Sequence, residues 1–275
     1  MRRIVPRPAR RWVRDTFAPR PLRPPSRQEQ RVQATVDRLR GRVPLESLPS
    51  FAGDSLISWH NPEFLDDPAF IRAVDLAVER ASWSPAVDVR WRIHVLLWAA
   101  ARAATMEGDF VECGVNRGGF ARAVVDRVDL AALGKTFYLM DTFNGIVEDY
   151  LTPEERANGV TRDTYRQFTP CFEVVPEAFR SFPNVVLVRG PIPDTLPQAV
   201  PEKVAFLSID MNVVLPEIAA AEHFWPRLVP GAIVVLDDYG HKTHIPQKHA
   251  FDVFAREHGV EVLMLPTGQG LMVKP

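Results

Sequence analysis

The chain has 275 residues, 46% of them hydrophobic and 24% charged, with a net charge of −1. These values fit a globular protein with a sizeable core and exclude a disordered or fibrous chain. The longest uninterrupted apolar run, Val95 to Ala101, is far too short to span a bilayer, and the only two cysteines, Cys113 and Cys171, fit neither a disulfide framework nor a zinc site.

Charge is unevenly spread. Residues 1–50 hold thirteen Arg, no Lys and four acidic residues, so a leader of +9 precedes a body of −10. The Arg- and Pro-rich stretch 1–28 is expected to be disordered. Trp12 and Phe17 are its only aromatics, too few to interleave with the arginines, so no nucleic-acid partner is expected. Arg2 and Arg3 look like the start of an export signal, yet no apolar stretch follows, and a cytoplasmic protein with no membrane partner is expected.

Val32, Val36 and Leu39 predict a helix over 28–42, the start of an N-terminal helical extension spanning 29–88 that serves oligomerisation or caps the substrate. Residues 48–68 read as loop. Asp67-Pro68 opens a helix to Arg80, with Phe70, Ile71, Val74, Ala77 and Val78 as its apolar positions. A broad apolar helix follows over 91–104. From 109 onward strands and helices alternate, the pattern of a doubly wound parallel sheet. Strands are predicted at 109–112, 136–140, 185–188, 204–209 and 232–236, with helices at 120–128, 176–181, 215–228 and 247–258. Two last strands, 261–265 and 270–273, lie so close together that they must be antiparallel. The domain from 89 to 275 is therefore α/β and Rossmann-like. Its sheet is mostly parallel with a C-terminal antiparallel hairpin, and helices cover both faces. Residues 145–172 are too long for a simple connection and read as a lid or a surface excursion.

The chain is organised around residues 109–119, where a strand ends in Glu112 and Cys113, glycines follow at 114, 118 and 119, and a helix begins. A strand, a tight glycine turn and a helix start let backbone approach a nucleotide-like ligand. Asn116 stands where a dinucleotide-binding turn has its second glycine. Glu112 would repel a pyrophosphate but suits the ammonium or sulfonium of S-adenosylmethionine. Asp141 and Thr142 end the second strand, where a carboxylate accepts from ribose hydroxyls or caps a helix. Cys113 lies inside the motif as a small buried hydrophobe.

Asp210, Asp237 and Asp238 fall at the ends of the fourth and fifth strands. Three clustered carboxylates repel one another and call for a cation or raised pKa values. Their hard oxygens suit Mg²⁺ before Ca²⁺ or Mn²⁺. A metal there would lower the pKa of a substrate hydroxyl, and Asp210 would take its proton as catalytic base. His241, His244 and His249 read as solvated loop residues or as a base or donor, and Asn212 as a substrate contact or a turn residue.

With these residues assembled, the sequence resembles the macrocin O-methyltransferase family of class I methyltransferases. The matching stretches are 108–119, Met140-Asp-Thr-Phe-Asn-Gly145, Ser208-Ile-Asp-Met-Asn212, 228–240 and 265–270. The resemblance implies S-adenosylmethionine as donor and a Mg²⁺ ion on Asp210, Asp237 and Asp238. It also implies a sugar hydroxyl of a glycosylated natural product as small-molecule acceptor, and a homo-oligomer using the N-terminal helices. Where many members carry an Asp-x-Asp-x-Tyr-like stretch, this chain has Asp210-Met-Asn-Val-Val. Two alternatives are an NAD(P)-dependent oxidoreductase and a non-catalytic donor-binding scaffold. Against the first, no tyrosine has a lysine four residues later; against the second, the acidic trio is intact.

Overall fold

A computed structural model describes residues 49–81, 87–162 and 170–275. The 1–28 leader, the helix expected over 28–42, and residues 163–169 of the long insertion lie outside them. Residues 49–275 form one compact unit. Among the described residues, no helix is long and apolar enough to cross a membrane.

The stretch read as loop begins with a small hairpin, β1 (Phe51–Gly53) and β2 (Leu56–Ser58). Asp54 and Ser55 both take positive φ, 47° and 65°, the mirror-image turn that matches strand twist. Strands of three residues are too short to show alternation, and Asp-Ser is a weaker signal than Asp-Gly. Next comes α1 (Pro68–Arg80), as predicted. The Asp67 carboxylate accepts from Ala69 N at 2.9 Å and Pro68 fills the first helical position. Phe70, Ala73, Val74 and Ala77 form its buried stripe.

The main sheet follows α2 (Arg90–Ala103). Its strands are β3 (Asp109–Cys113), β4 (Phe137–Asp141), β5 (Val185–Arg189), β6 (Val204–Ile209), β7 (Leu228–Leu236), β8 (Leu263–Met264) and β9 (Gly270–Val273), in the spatial order β5-β4-β3-β6-β7-β9-β8. The first five are parallel and β9 runs antiparallel to both its neighbours. Every residue of β6 is buried, as expected of a central strand with both faces covered. Phe110, Phe137 and Phe206 meet across β3, β4 and β6. Burying such side chains contributes roughly 1.5–3 kcal/mol each. The strand β7 begins four residues before its predicted start, because Pro230 and Gly231 are tolerated at a register shift.

Helices α3 (Gly119–Arg127), α5 (Val175–Phe179), α6 (Val214–Phe224) and α7 (Ile245–Glu257) connect the strands, and a short α4 (Pro153–Ala157) lies in the long insertion. The chain leaves β3 toward β4 on one side and returns through β6 on the other. This reversal opens a crevice at the carboxyl ends of β3 and β6, the place where α/β sheets bind ligands.

Candidate active site

A cavity of ≈ 240 Å³ fills that crevice. Gly114, Asn116, Gly119, Asp141 and Thr142 line one part of it, and Asp210, Asp237 and Asp238 line another. Glu112, Cys113 and Gly118 do not line it; they lie behind its wall. The structure thus brings most of the predicted site residues onto one surface.

The glycine turn is shaped by its own packing. Gly114 has φ 93°, and a Cβ there would fall 1.8 Å from the Asp210 carbonyl oxygen. Only glycine lets β3 and β6 come this close where both strands end. At Gly118, with φ 84°, a Cβ would strike the Phe179 ring at 2.6 Å. Asn116 replaces the expected glycine by adopting the left-handed conformation itself, with φ 50°, which Asn tolerates better than most residues.

Asp141 holds this turn in place. Its Oδ2 accepts from Val115 N at 2.6 Å and Asn116 N at 2.7 Å, while Oδ1 accepts from Phe143 N at 2.5 Å. The sequence suggested a ribose acceptor or a helix cap. In the structure both oxygens serve the backbone around the cavity, and Asp141 still borders the ligand space. Thr142 Oγ1 donates to Gly145 O at 2.7 Å and closes the adjoining turn. Phe143 (φ 52°) and Asn212 (φ 61°) are also left-handed. With Asn116 they make three left-handed non-glycine residues that line the cavity, the kind of strain that gathers at ligand sites.

Glu112 is 1% exposed, and neither carboxylate oxygen has a hydrogen-bond partner; the Ala121 N–H faces it outside hydrogen-bond geometry. Burial raises its pKa well above the usual carboxylate range, and the Asp141 and Asp237 charges add to this. Because it does not line the cavity, the Glu112 carboxyl backs the turn and the helix start from the core side. Burial and the neighbouring Glu112 likewise push the Cys113 thiol up, so it is an inert hydrophobe.

The acidic trio has a partner that the sequence did not reveal. Arg92, on the first turn of α2, donates from Nη1 to Asp237 Oδ2 at 2.7 Å and lies 3.7 Å from Asp238 Oδ1. Its Nε and Nη2 bind Asp54 at 2.5 and 3.2 Å. Burial alone would lower its pKa, but Asp237 and Asp54 outweigh burial and keep it charged. Gln269 Nε2 donates to Asp237 Oδ1 at 3.0 Å, and Asn212 Nδ2 to Asp210 Oδ1 at 3.2 Å. Burial, then the Asp237 charge, raises the pKa of both Asp210 and Asp238. An all-oxygen donor set with surplus negative charge fits a hard divalent cation by its chemistry. Among the described residues, no three His, Cys, Asp or Glu side chains are grouped as a ligand set, and both oxygens of Asp237 accept from protein donors, Arg92 and Gln269.

Glu217, another acid the sequence did not single out, is buried beside this cluster. Burial first, then Asp238, pushes its pKa to about 8, while its Oε1 accepts from Met211 N at 3.1 Å. Its signal was available: it is the lone charge in the first two turns of an otherwise apolar helix. His244 is buried, its Nδ1 2.8 Å from Gln247 Nε2 and its Nε2 3.8 Å from Asp238 Oδ2. It is therefore no solvated loop residue, whereas His241 is half-buried and bonds Thr243 at 2.8 Å. From the long insertion, Ile146, Val147 and Tyr150 line the cavity. Glu155 anchors that insertion: its Oε2 accepts from Thr152 N at 2.7 Å, and its Oε1 from Val214 N at the start of α6 at 2.8 Å.

Residues 91–266 match the macrocin O-methyltransferase family. The tetracenomycin-type rhamnosyl 4'-O-methyltransferase of Streptomyces olivaceus is 33% identical over 149 residues, which is 48% of this chain and 53% of that protein. The mycinamicin III 3''-O-methyltransferase of Micromonospora griseorubida is 28% identical over 142 residues, 48% of this chain and 55% of that protein. The matches thus span about half the length of these relatives. Among solved structures, the O-methyltransferase NovP superposes with a TM-score of 0.64 at 20% identity, over 77% of this chain and 98% of NovP. The calicheamicin methyltransferase CalS11 gives 0.50 at 16%, over 83% and 99%. Both share the fold: a mostly parallel α/β sheet of the Rossmann-like methyltransferase type.

Proposed function

The chain belongs to the macrocin O-methyltransferase family, and on that premise we propose that it is an S-adenosylmethionine-dependent O-methyltransferase. Its acceptor is a hydroxyl on the sugar of a glycosylated natural product, Mg²⁺ is its metal cofactor, and it works in the cytoplasm as a homo-oligomer. One observation carries the reading: the glycine turn and the acidic trio converge on a single cavity at the reversal point of the sheet. The sugar acceptor is supported by the names of the curated relatives, which methylate a rhamnosyl conjugate and mycinamicin III.

The residues have distinct duties under this proposal. The turn from Gly114 to Gly119, backed by Glu112 and held by Asp141, would seat the donor. Asp210, Asp237 and Asp238 would hold the metal. When bound, S-adenosylmethionine supplies an electrophilic methyl group, and Mg²⁺ supplies the charge that lowers the pKa of the acceptor hydroxyl. Asp210 accepts the hydroxyl proton at a carboxylate oxygen; burial and the Asp237 charge raise its pKa above the usual carboxylate range. Asn212 orients that carboxylate through Oδ1. Ile146, Val147 and Tyr150 screen the cavity from water.

Calorimetric titration with S-adenosylhomocysteine, followed by methyl-transfer assays on glycosides with and without Mg²⁺, tests the proposal. Micromolar binding and Mg²⁺-stimulated transfer are expected. Asp210→Asn should abolish transfer and leave donor binding intact. Failure of the folded, ligand-stripped protein to bind S-adenosylhomocysteine would refute the reading, while binding without transfer to any glycoside would favour the scaffold alternative.

A further inference from the structure

Asp237 is the member of the trio most committed to the protein. Arg92 Nη1 donates to its Oδ2 at 2.7 Å and Gln269 Nε2 to its Oδ1 at 3.0 Å. The rest of the Arg92 guanidinium is bound elsewhere, with Nε and Nη2 forming a fork on the two oxygens of Asp54. Asp54 is the first residue of the β1–β2 turn, held at φ 47°. The three side chains are 12%, 13% and 7% exposed for Arg92, Asp54 and Asp237. The guanidinium is therefore fixed to the hairpin by one edge and reaches the acidic cluster with a single nitrogen.

We propose that Arg92 is a built-in counter-cation of the acidic cluster, positioning Asp237 and competing with a divalent ion for its Oδ2. The proposal rests on Asp210, Asp237 and Asp238 being the metal ligands. Arg is always charged, and at this low exposure its field on the cluster is only weakly screened. A divalent ion arriving on the trio meets that charge and competes with Nη1 for Asp237 Oδ2. The bidentate pair with Asp54 survives this exchange, so the exchange is reversible and Arg92 sets the affinity instead of blocking the site. A weakly held and readily exchanged metal ion follows from this arrangement.

The test titrates Mn²⁺ into the full chain saturated with S-adenosylhomocysteine, reading free Mn²⁺ by electron paramagnetic resonance. Arg92→Gln should bind Mn²⁺ roughly ten-fold more tightly than the wild type, and Arg92→Lys, which keeps the charge, should stay within about three-fold of it. Asp237→Asn should lose binding. Equal or weaker binding in a folded Arg92→Gln overturns the proposal. So does Arg92→Lys binding as tightly as Arg92→Gln, because geometry and not charge would then be the cause. Should Arg92→Gln fail to fold, Asp54→Asn replaces it: a guanidinium released from the hairpin closes on the trio and weakens Mn²⁺ binding, and unchanged affinity overturns the proposal. If no variant binds Mn²⁺, the role of Arg92 falls, while S-adenosylhomocysteine binding in the same samples shows whether the methyltransferase reading stands.

Discussion

Gly114→Ala separates the two demands that the strand-end turn makes on one residue. The first is conformational: φ is 93°, and leaving glycine for an L-residue in that region costs about 1–2 kcal/mol. The second is steric. The new Cβ would fall 1.8 Å from the Asp210 carbonyl oxygen and 2.4 Å from its carbon, so the ends of β3 and β6 must move apart by more than an ångström. That movement breaks the hydrogen bond from Asp210 N to Cys113 O, 2.8 Å long, and loosens its neighbours, at roughly 1 kcal/mol each. The total is about 3–5 kcal/mol, a melting shift of roughly 6–20 °C for a domain of this size. Gly134→Ala is the control, because Gly134 has φ 64° with nothing within 4 Å of its Cβ position, and it should cost only about 1 kcal/mol. Calorimetric melting of both variants measures the difference. If Gly114→Ala comes within about 1 kcal/mol of Gly134→Ala, the close approach of the two strand ends is not what glycine is needed for.

Glu217 ties stability to pH. Its pKa is raised to about 8 in the folded chain against about 4.3 unfolded, so its contribution is full below the unfolded value and is lost as pH rises toward 8. Between pH 5.5 and 7.5 the wild type should lose roughly 2–3 kcal/mol relative to Glu217→Gln; parallel urea-denaturation profiles would remove the assignment. Glu155→Ala removes the acceptor of Val214 N and of Thr152 N and Oγ1, and should cost about 2 kcal/mol. Limited proteolysis should then cut residues 145–162 faster than in the wild type, and an unchanged rate would show that Glu155 does not anchor the insertion.

The sheet was legible because its signals are local and repeated. Apolar strand runs, four of them ending in an acidic residue, placed the five parallel strands, and the short 266–269 connection required the antiparallel end. The Asp67-Pro68 start of α1 was legible for the same reason, since cap and first turn are neighbours in sequence. What the sequence concealed was pairing at long range. Arg92 and Asp237 are 145 residues apart, and nothing in an apolar helix marks one arginine as the partner of an acid at the far end of the sheet. Asp141 shows a subtler limit. Its position at the end of β4 was read correctly, but a carboxylate at a strand end has the same sequence signature whether it faces a ligand or the chain's own amides.

The distribution of cost in the molecule points the same way as the chemistry. Left-handed non-glycine residues at 116, 143 and 212 lie on the cavity, and the raised carboxyls of Glu112, Asp210, Glu217 and Asp238 lie on it or against it. A fold selected for stability alone would not concentrate strain and like charge at one edge, since each feature costs on the order of 1–3 kcal/mol. The core built on β3, β4 and β6 offsets that cost with fully buried aromatic and aliphatic side chains. The edge is thereby left with acids whose protonation and partners change when a cation arrives. Under the proposed function two cations arrive there, the donor's sulfonium and the metal, and the guanidinium of Arg92 is the charge already in place for them to displace or join.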